Sequence, residues 1–518
     1  MSSKIMMLTP RRAVIELDTR ERYETDVPYT LCVNGISVQD TRVVRTISGL
    51  LPGQTNQVVI ERDGRREELA LETPQESVTL NVRAMNAAGD GVHDDTAAIQ
   101  AAIAACPPGG RVLIPEGTYC VTSLFLKDHL ILELAKGAVL RGSKNRRDVP
   151  VLPGIVQCYN EEDELNLGTW EGNPLDCFAA LITGIGVKNT VICGEGTIDG
   201  NASEQDWWQD DRAKILAFRP RSIFLNRCEH VFIEGITITN SPSWTIHPYF
   251  TKDISILNVR LENPWDSPNT DGIDPESVNG LTIAGVYFSL GDDCIAIKSG
   301  KAYMGKKYAE PSQNISIRHC YMRNGHGAVS IGSENSGGVY HVRAESCVFD
   351  NTDRGLRIKT RRGRGKNAVV EDIVFDNIEM DNVRTPVVVN CFYNCCDPDR
   401  HTEYVRTKEP LPVDERTPSV HKLEFRHIQC TNCHVAAAFV YGLPENPIDC
   451  IELEDFHVTY AQNPIAMEPA MMDDIDEEST WLGACFHNVE RLVLRDVTIG
   501  PECREPLVTE NIKELIKE

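Results

Sequence analysis

From about residue 185 onward, apolar and polar positions alternate in a recurring ten-residue unit, two short β-rich runs split by a polar bend. Its copies begin at Val231, Ile254, Leu281, Ile315, Leu423 and Ile451, and several end on asparagine, as at Asn240, Asn263, Asn324 and Asn432. The first starts are 23, 27 and 34 residues apart. Periods of this size mark stacked coils, each burying its apolar stripe against its neighbours. No helical periodicity separates the β runs, which excludes leucine-rich and helical solenoids. The pattern predicts an all-β chain dominated by a parallel β-helix.

Two segments precede the coils. Residues 10 to about 77 alternate in strand fashion around Ala13–Leu17, Tyr29–Val33 and Gln57–Ile60, with turn signals at Asn34-Gly35, Pro52-Gly53 and Asp63-Gly64. This module resembles a fibronectin type III sandwich, although the tyrosine expected after the Leu-x-Pro turn is missing; it reads as a spacer or lid. The expected division is 1–77 for the sandwich and 78–518 for the β-helix. Near the junction, Ala98, Ile99, Ala102, Ile103 and Cys106 form an apolar helical stripe. Asp94 and Asp95 precede it and Pro107-Pro108-Gly109-Gly110 closes it, as expected of a helix capping the first coil.

Composition narrows the function classes. With 52 basic and 76 acidic residues the formal charge is −24, which argues against nucleic-acid or anionic-membrane partners. An anionic sugar polymer would then need a locally basic site. The apolar run Ile5–Leu8 is too short for a signal peptide, and eighteen cysteines without an export signal point to reduced thiols and a cytoplasmic location. Cys430, Cys433 and His434 look like half a zinc site, but no second half follows, so they read as core or loop residues.

Four polar, mostly glycine-flanked motifs interrupt successive coils: Asn269-Thr270-Asp271, Gly291-Asp292-Asp293, Gly325-His326-Gly327 and Arg357-Ile358-Lys359. One motif per coil at the same phase stacks them into a ladder on one face, with coils rising about 4.8 Å each. In this order and spacing the motifs resemble glycoside hydrolase family 28, the polygalacturonases. The likeness extends over roughly residues 80 to 500, including Gly89–Thr96, Pro242–Pro248 and Ser330–Glu334, with bacterial exo-acting members most similar.

The resemblance implies a right-handed β-helix that cleaves α-1,4-galacturonide bonds of pectin or oligogalacturonides without a cofactor or metal. It implies Asp292 as general acid, Asp271 and Asp293 as activators of water, and inversion at the anomeric carbon. Inverting carboxylates are ordinarily roughly 6.5–9.5 Å apart. Crowding of three carboxylates raises one pKa and keeps an acid protonated. His326 would tune that proton or bond the sugar. Arg357 and Lys359 would clamp a galacturonate carboxylate, with Asn269 and Lys298 beside them and Arg361, Arg362 and Arg364 thickening the basic zone. Arg361–Gly365 otherwise reads as a surface loop.

Residues 143–180, 200–222, 300–312 and 391–420 lack the coil pattern and carry or adjoin Trp207, Trp208, Trp265, Phe392 and Tyr393. As loops blocking one end of a groove they favour exo action. Hydrolases of rhamnogalacturonan or xylogalacturonan, a calcium-dependent pectate lyase and a glycan-binding β-helix without activity are the alternatives.

Overall fold

A computed structural model describes residues 3–160, 163–395 and 397–518. The chain begins with two antiparallel sheets. One is β1 (Lys4–Leu8), β2 (Arg12–Glu16) and β5 (Val44–Ser48). The other runs β4 (Ile36–Arg42), β3 (Glu24–Val33), β6 (Thr55–Arg62) and β7 (Arg65–Glu72). Alternate residues of both, among them Ile15, Leu31, Val58 and Ile60, close a small core around Tyr29, whose hydroxyl donates to the Arg42 carbonyl at 2.8 Å. The last strand ends at Glu72, and Thr79–Asn81 already pairs in parallel with Gly110–Ile114.

From there the chain is a right-handed parallel β-helix. The repeats seen in the sequence lie in register: Ile233, Ile256, Ile283, Ile317, Ala344, Phe375, Phe425, Leu453 and Leu494 pair one above the next. This apolar ladder joins one continuous core. The polar bend between the two runs of each unit has a physical cause: Asn258, His319, Ser346, Asn377, His427 and Asp455 all have φ between 51° and 57°. The left-handed conformation turns the chain sharply between sheets, and short polar side chains tolerate it best.

The helix α1 (Thr96–Ala105) covers the first coil with Ile99, Ala102 and Ile103. Asp94 accepts the Thr96 N–H at 2.9 Å, whereas Asp95 accepts from Gly89 N–H at 3.0 Å and pins the preceding loop. One of the two acids therefore caps, and the other braces. The buried cysteines, among them Cys106, Cys193, Cys294 and Cys320, are free thiols, and Cys430 and Cys433 are core residues. Among the described residues no helix is long and apolar enough to cross a membrane.

The sandwich docks on the bend side of the coils. Met7, Val14 and Val44 pack on Leu257 and Ala284, and Arg12 reaches Glu234 at 2.7 Å with both side chains buried. A Cβ on Gly285 would lie 2.6 Å from that of Val44, so the close approach needs glycine. None of the described residues of the sandwich lines the cleft of the opposite face, so it is no lid over that cleft.

Candidate active site

On that opposite face a sheet is built from β8 (Ile246–Tyr249), β9 (Ile295–Ile297), β10 (Val329–Gly332), β11 (Arg354–Lys359), β12 (Thr385–Asn390) and β13 (Ala436–Tyr441). Between β8 and β9 the pairing continues as isolated bridges through Ile273 and Glu276, on either side of Pro275, which cannot donate to the ladder. Backbone bonds Thr245 N–H to Asp271 O (2.8 Å), Gly272 N–H to Asp293 O (3.0 Å) and Cys294 N–H to Gly327 O (2.8 Å) bring three of the four motifs to one phase. Arg357 and Lys359 follow on β11, opposite Ser330 and Gly332.

The carboxylates of Asp271, Asp292 and Asp293 each offer an oxygen within 4.8 Å of the others. That is closer than the separation expected from inverting enzymes in general, because two neighbouring residues of one coil and one residue of the coil before it, not opposite walls, carry them. Glycine makes the crowding possible: a Cβ on Gly327 would sit 2.8 Å from Asp293 Oδ1. Lys359 Nζ donates to Asp293 Oδ2 at 2.7 Å and Arg357 Nη1 approaches Oδ1 at 3.4 Å. The other Arg357 terminal nitrogen donates to the Met471 thioether at 2.7 Å. His326 Nδ1 lies 3.4 Å from Asp292, its side chain about half exposed.

These contacts sort the protons. Burial, then Asp274 and Asp292, push the Asp271 carboxyl well above its usual value. Burial also acts upward on Asp292, but the hydrogen bond and charge of His326 outweigh it and hold Asp292 below the ordinary range. On Asp293 burial is overcome by Lys359 and Arg357, which keep it ionised. The hydrogen bond to Asp292, followed by its charge, raises His326. Crowding thus does raise one acid, but it is Asp271; the acid implied by the resemblance, Asp292, shares its proton with His326 instead.

Asn269 and Lys298 complete the ladder in different ways. Asn269 accepts from Arg219 Nη2 at 2.6 Å at the cleft edge. Lys298 lies on the cleft floor between Asp274 (3.5 Å) and Glu334 (3.3 Å), under the Trp244 ring at 4.5 Å. Arg361, Arg362 and Arg364 do not reach the cleft. The strand ends at Lys359, the chain turns away, and all three are buried in pairs with Asp397, Asp399 and Glu445 at 2.6–3.1 Å. The cleft is accordingly not basic overall: seven acidic side chains line it against five lysines and arginines and His326. Trp207 and Phe392 are also buried, Trp207 edge-on to Phe178 at 5.4 Å, so neither walls a subsite.

Sequence reasoning missed Asp274, Glu276 and His247, which are fully buried behind Asp271 and Lys298. Glu276 lies 3.1 Å from His247, and burial pushes Asp274 and Glu276 each up to about 8. The signal available was alternation: with Ile273 pointing into the core, Asp274 must turn to the cleft side. The residues 461–481 were also missed, although Met467, Glu468 and Met471 from that stretch wall the cleft.

Against known proteins, the profile described as Glycosyl hydrolases family 28 matches residues 163–436. The chain belongs to this family. It is a glycoside hydrolase of the β-helix type, and residues 79–150 match a second profile, Rhamnogalacturonase A/epimerase, pectate lyase-like. A probable polygalacturonase of Vitis vinifera is 31% identical over 380 residues, 71% of this chain and 72% of that one. An endo-polygalacturonase of Pectobacterium parmentieri is 32% identical over 337 residues, 62% and 76% of the two chains. The structure of a family 28 exopolygalacturonase from Yersinia enterocolitica superposes with a TM-score of 0.74 at 19% identity, covering 99% of this chain and 98% of that one; it shows the shared fold.

Proposed function

We propose that this family 28 enzyme hydrolyses α-1,4-galacturonide bonds with inversion, acting from a chain end. The observation that carries this reading is the conjunction in one cleft of about 350 Å³: three carboxylates within 4.8 Å of one another beside Arg357 and Lys359. Relatives named polygalacturonases support the galacturonide substrate.

The roles follow from the protonation pattern. Asp293, ionised and oriented by Lys359 and Arg357, is the base that activates water. Both of its oxygens are engaged, which makes it a poor covalent nucleophile. Asp292 is the general acid, drawing on the proton it shares with His326. A sugar that displaces water from His326 disfavours the ion pair and returns the proton to Asp292. Protonated Asp271 donates a hydrogen bond beside the reacting centre. The substrate carboxylate replaces Met471 as acceptor for Arg357, since a thioether is the weaker acceptor, and gains Lys359 as a second partner. A calcium-dependent elimination fits less well, because Lys359 and Arg357 occupy the oxygens of Asp293 that a cation would need.

Exo action is supported by the walls. Glu171 and Arg212 close the cleft from the earlier coils, and Tyr393, Met467 and Met471 close it from the later ones. Tyr303 and Tyr308 fasten the loop 143–180 through Glu164 at 2.8 and 2.7 Å. Product sizes over time on polygalacturonate and hexagalacturonate, with chelator present, test this. Saturated monomer from the first minute is expected; a ladder of oligomers would sink exo action while leaving hydrolysis intact.

A further inference from the structure

The segment 461–481 joins two late coils without helix or strand of its own and sends Met467, Glu468 and Met471 to the cleft wall. Its two wall methionines are uncommon partners for arginine. Met467 Sδ accepts from Arg354 Nη1 at 3.0 Å and from Arg384 Nη1 at 3.4 Å, and Met471 Sδ accepts from Arg357 Nη2 at 2.7 Å. A thioether is a weak acceptor, so a guanidinium nitrogen paired in this way gains little and yields easily to an oxygen.

The aim of Met471 is fixed through its backbone. Its carbonyl accepts from Asn390 Nδ2 at 2.8 Å and from the Asn394 N–H at 3.3 Å. Asn394 also donates its side-chain amide to Asp473 at 2.9 Å, two residues further on. Earlier in the segment the Glu468 carbonyl accepts from Arg354 Nη2 at 2.7 Å. The sulfur of Met471 is thus held against Arg357, while its side chain lines the cleft and is partly exposed.

The other described methionines are placed differently. Met7, Met304, Met322, Met380 and Met472 are buried, and Met6 and Met85 pack against apolar clusters. A small polar oxidant therefore reaches Met467 and Met471 through the opening that admits substrate. The two differ in what their arginines already hold. Arg354 keeps the Glu468 carbonyl and Arg384 keeps Asp353 at 3.1 Å, whereas Arg357 Nη2 is the nitrogen that exchanges the thioether for substrate.

We infer that Met471 is a modification site at which a hydroperoxide closes the cleft by forming methionine sulfoxide. The sulfur lone pair takes one peroxide oxygen: an S–O bond forms as the O–O bond breaks. The thioether loses two electrons, and the peroxide is reduced to water, its leaving oxygen picking up the proton of the transferred hydroxyl. The sulfoxide oxygen is a strong acceptor where the thioether was a weak one. Bonded to Arg357 Nη2, it stands where the substrate carboxylate binds. A placeholder that substrate displaces becomes a competitor that it does not. This inference rests on the reading of Arg357 as a carboxylate clamp and adds a control to that same site.

The test treats the full chain with dilute hydrogen peroxide, maps it by peptide mass spectrometry and assays it on trigalacturonate. Met471 is expected to gain an oxygen ahead of the buried methionines. Loss of a charge-assisted hydrogen bond to substrate should then raise KM about tenfold with kcat little changed. Methionine sulfoxide reductase should restore KM and dithiothreitol should not, which separates the thioether from oxidation of Cys395 in the same cleft. Met471→Gln, with an amide oxygen in place of the sulfoxide, should start at the raised KM. Met471→Leu should lose the peroxide response, measured against its own untreated KM. Slower oxidation of Met471 than of the buried methionines, a KM indifferent to its oxidation, recovery with dithiothreitol or a response retained in Met471→Leu would overturn the inference. Untreated enzyme that turns over no galacturonide would instead sink the reading of the site, and the inference with it.

Discussion

The two faces of the solenoid bury charge in opposite ways. On the bend side cations meet carboxylates pair by pair: buried Arg12 with Glu234, and half-buried Arg318 with Glu16. On the cleft side Asp271, Asp274, Asp293, Glu276 and Glu334 are all buried, and Arg221, Lys298, Arg354, Arg357 and Lys359 are buried near them, yet among the described residues Asp271 and Glu276 form no ion pair with any lysine or arginine, while Asp274 and Glu334 share Lys298. Matched pairs hold two modules in one geometry. Buried carboxyls without a cation of their own, some forced to keep protons, are costly to folding but provide acids and bases of different strength within one sugar's reach. The matched face is structural and the mismatched face is catalytic.

Removing the acid should separate the faces most sharply. Asp292→Asn is expected to lower kcat by about 10³-fold or more, with the melting temperature unchanged or higher because one of the crowded charges is gone. Glu234→Gln should do the reverse. It leaves the Arg12 guanidinium buried without its carboxylate and should destabilise by about 3 kcal/mol in denaturant unfolding, while folded enzyme keeps its turnover.

Asp274 sharpens the comparison through pH. Its folded-state pKa of about 8 lies above the unfolded value, so the folded state holds a proton that the unfolded state has released. Stability should therefore fall as pH rises from about 4 to 8, and Asp274→Asn should remove a few kcal/mol of that decline. The smallest effect concerns His326. Its raised pKa keeps the shared proton available above the ordinary histidine range, and activity is lost as pH rises through that value. In His326→Gln the proton depends on Asp292 alone, so the alkaline limb of kcat against pH should move to lower pH.

Much of this face could be read from the chain because a coil converts sequence phase directly into position. The motifs around Asp271, Asp293 and His326 occur once per coil, so their alignment needed only the repeat. Arg361, Arg362 and Arg364 could not be read in the same way. Their fate is decided by Asp397 and Glu445, which arrive from far along the chain, and local pattern carries no record of them. The same limit hid the burial of Trp207 and Phe392 and the wall supplied by Met467 and Met471. Asp274 was a different case: alternation placed it on the cleft side, but its lack of water depends on Trp244 and Lys298 packing over the floor. The protonation order within the aspartate cluster was likewise beyond spacing, since it rests on which carboxylate Lys359 reaches.

The central claim is that these crowded carboxylates hydrolyse a galacturonide bond by direct attack of water from Asp293. Proton NMR of the first products released from trigalacturonate, recorded before the anomers equilibrate, tests it most directly. Saturated galacturonate appearing first as the β-anomer is the result expected. First appearance as the α-anomer would make Asp293 or Asp271 a covalent nucleophile, and vinylic signals from an unsaturated sugar would replace hydrolysis with elimination; either would contradict the account.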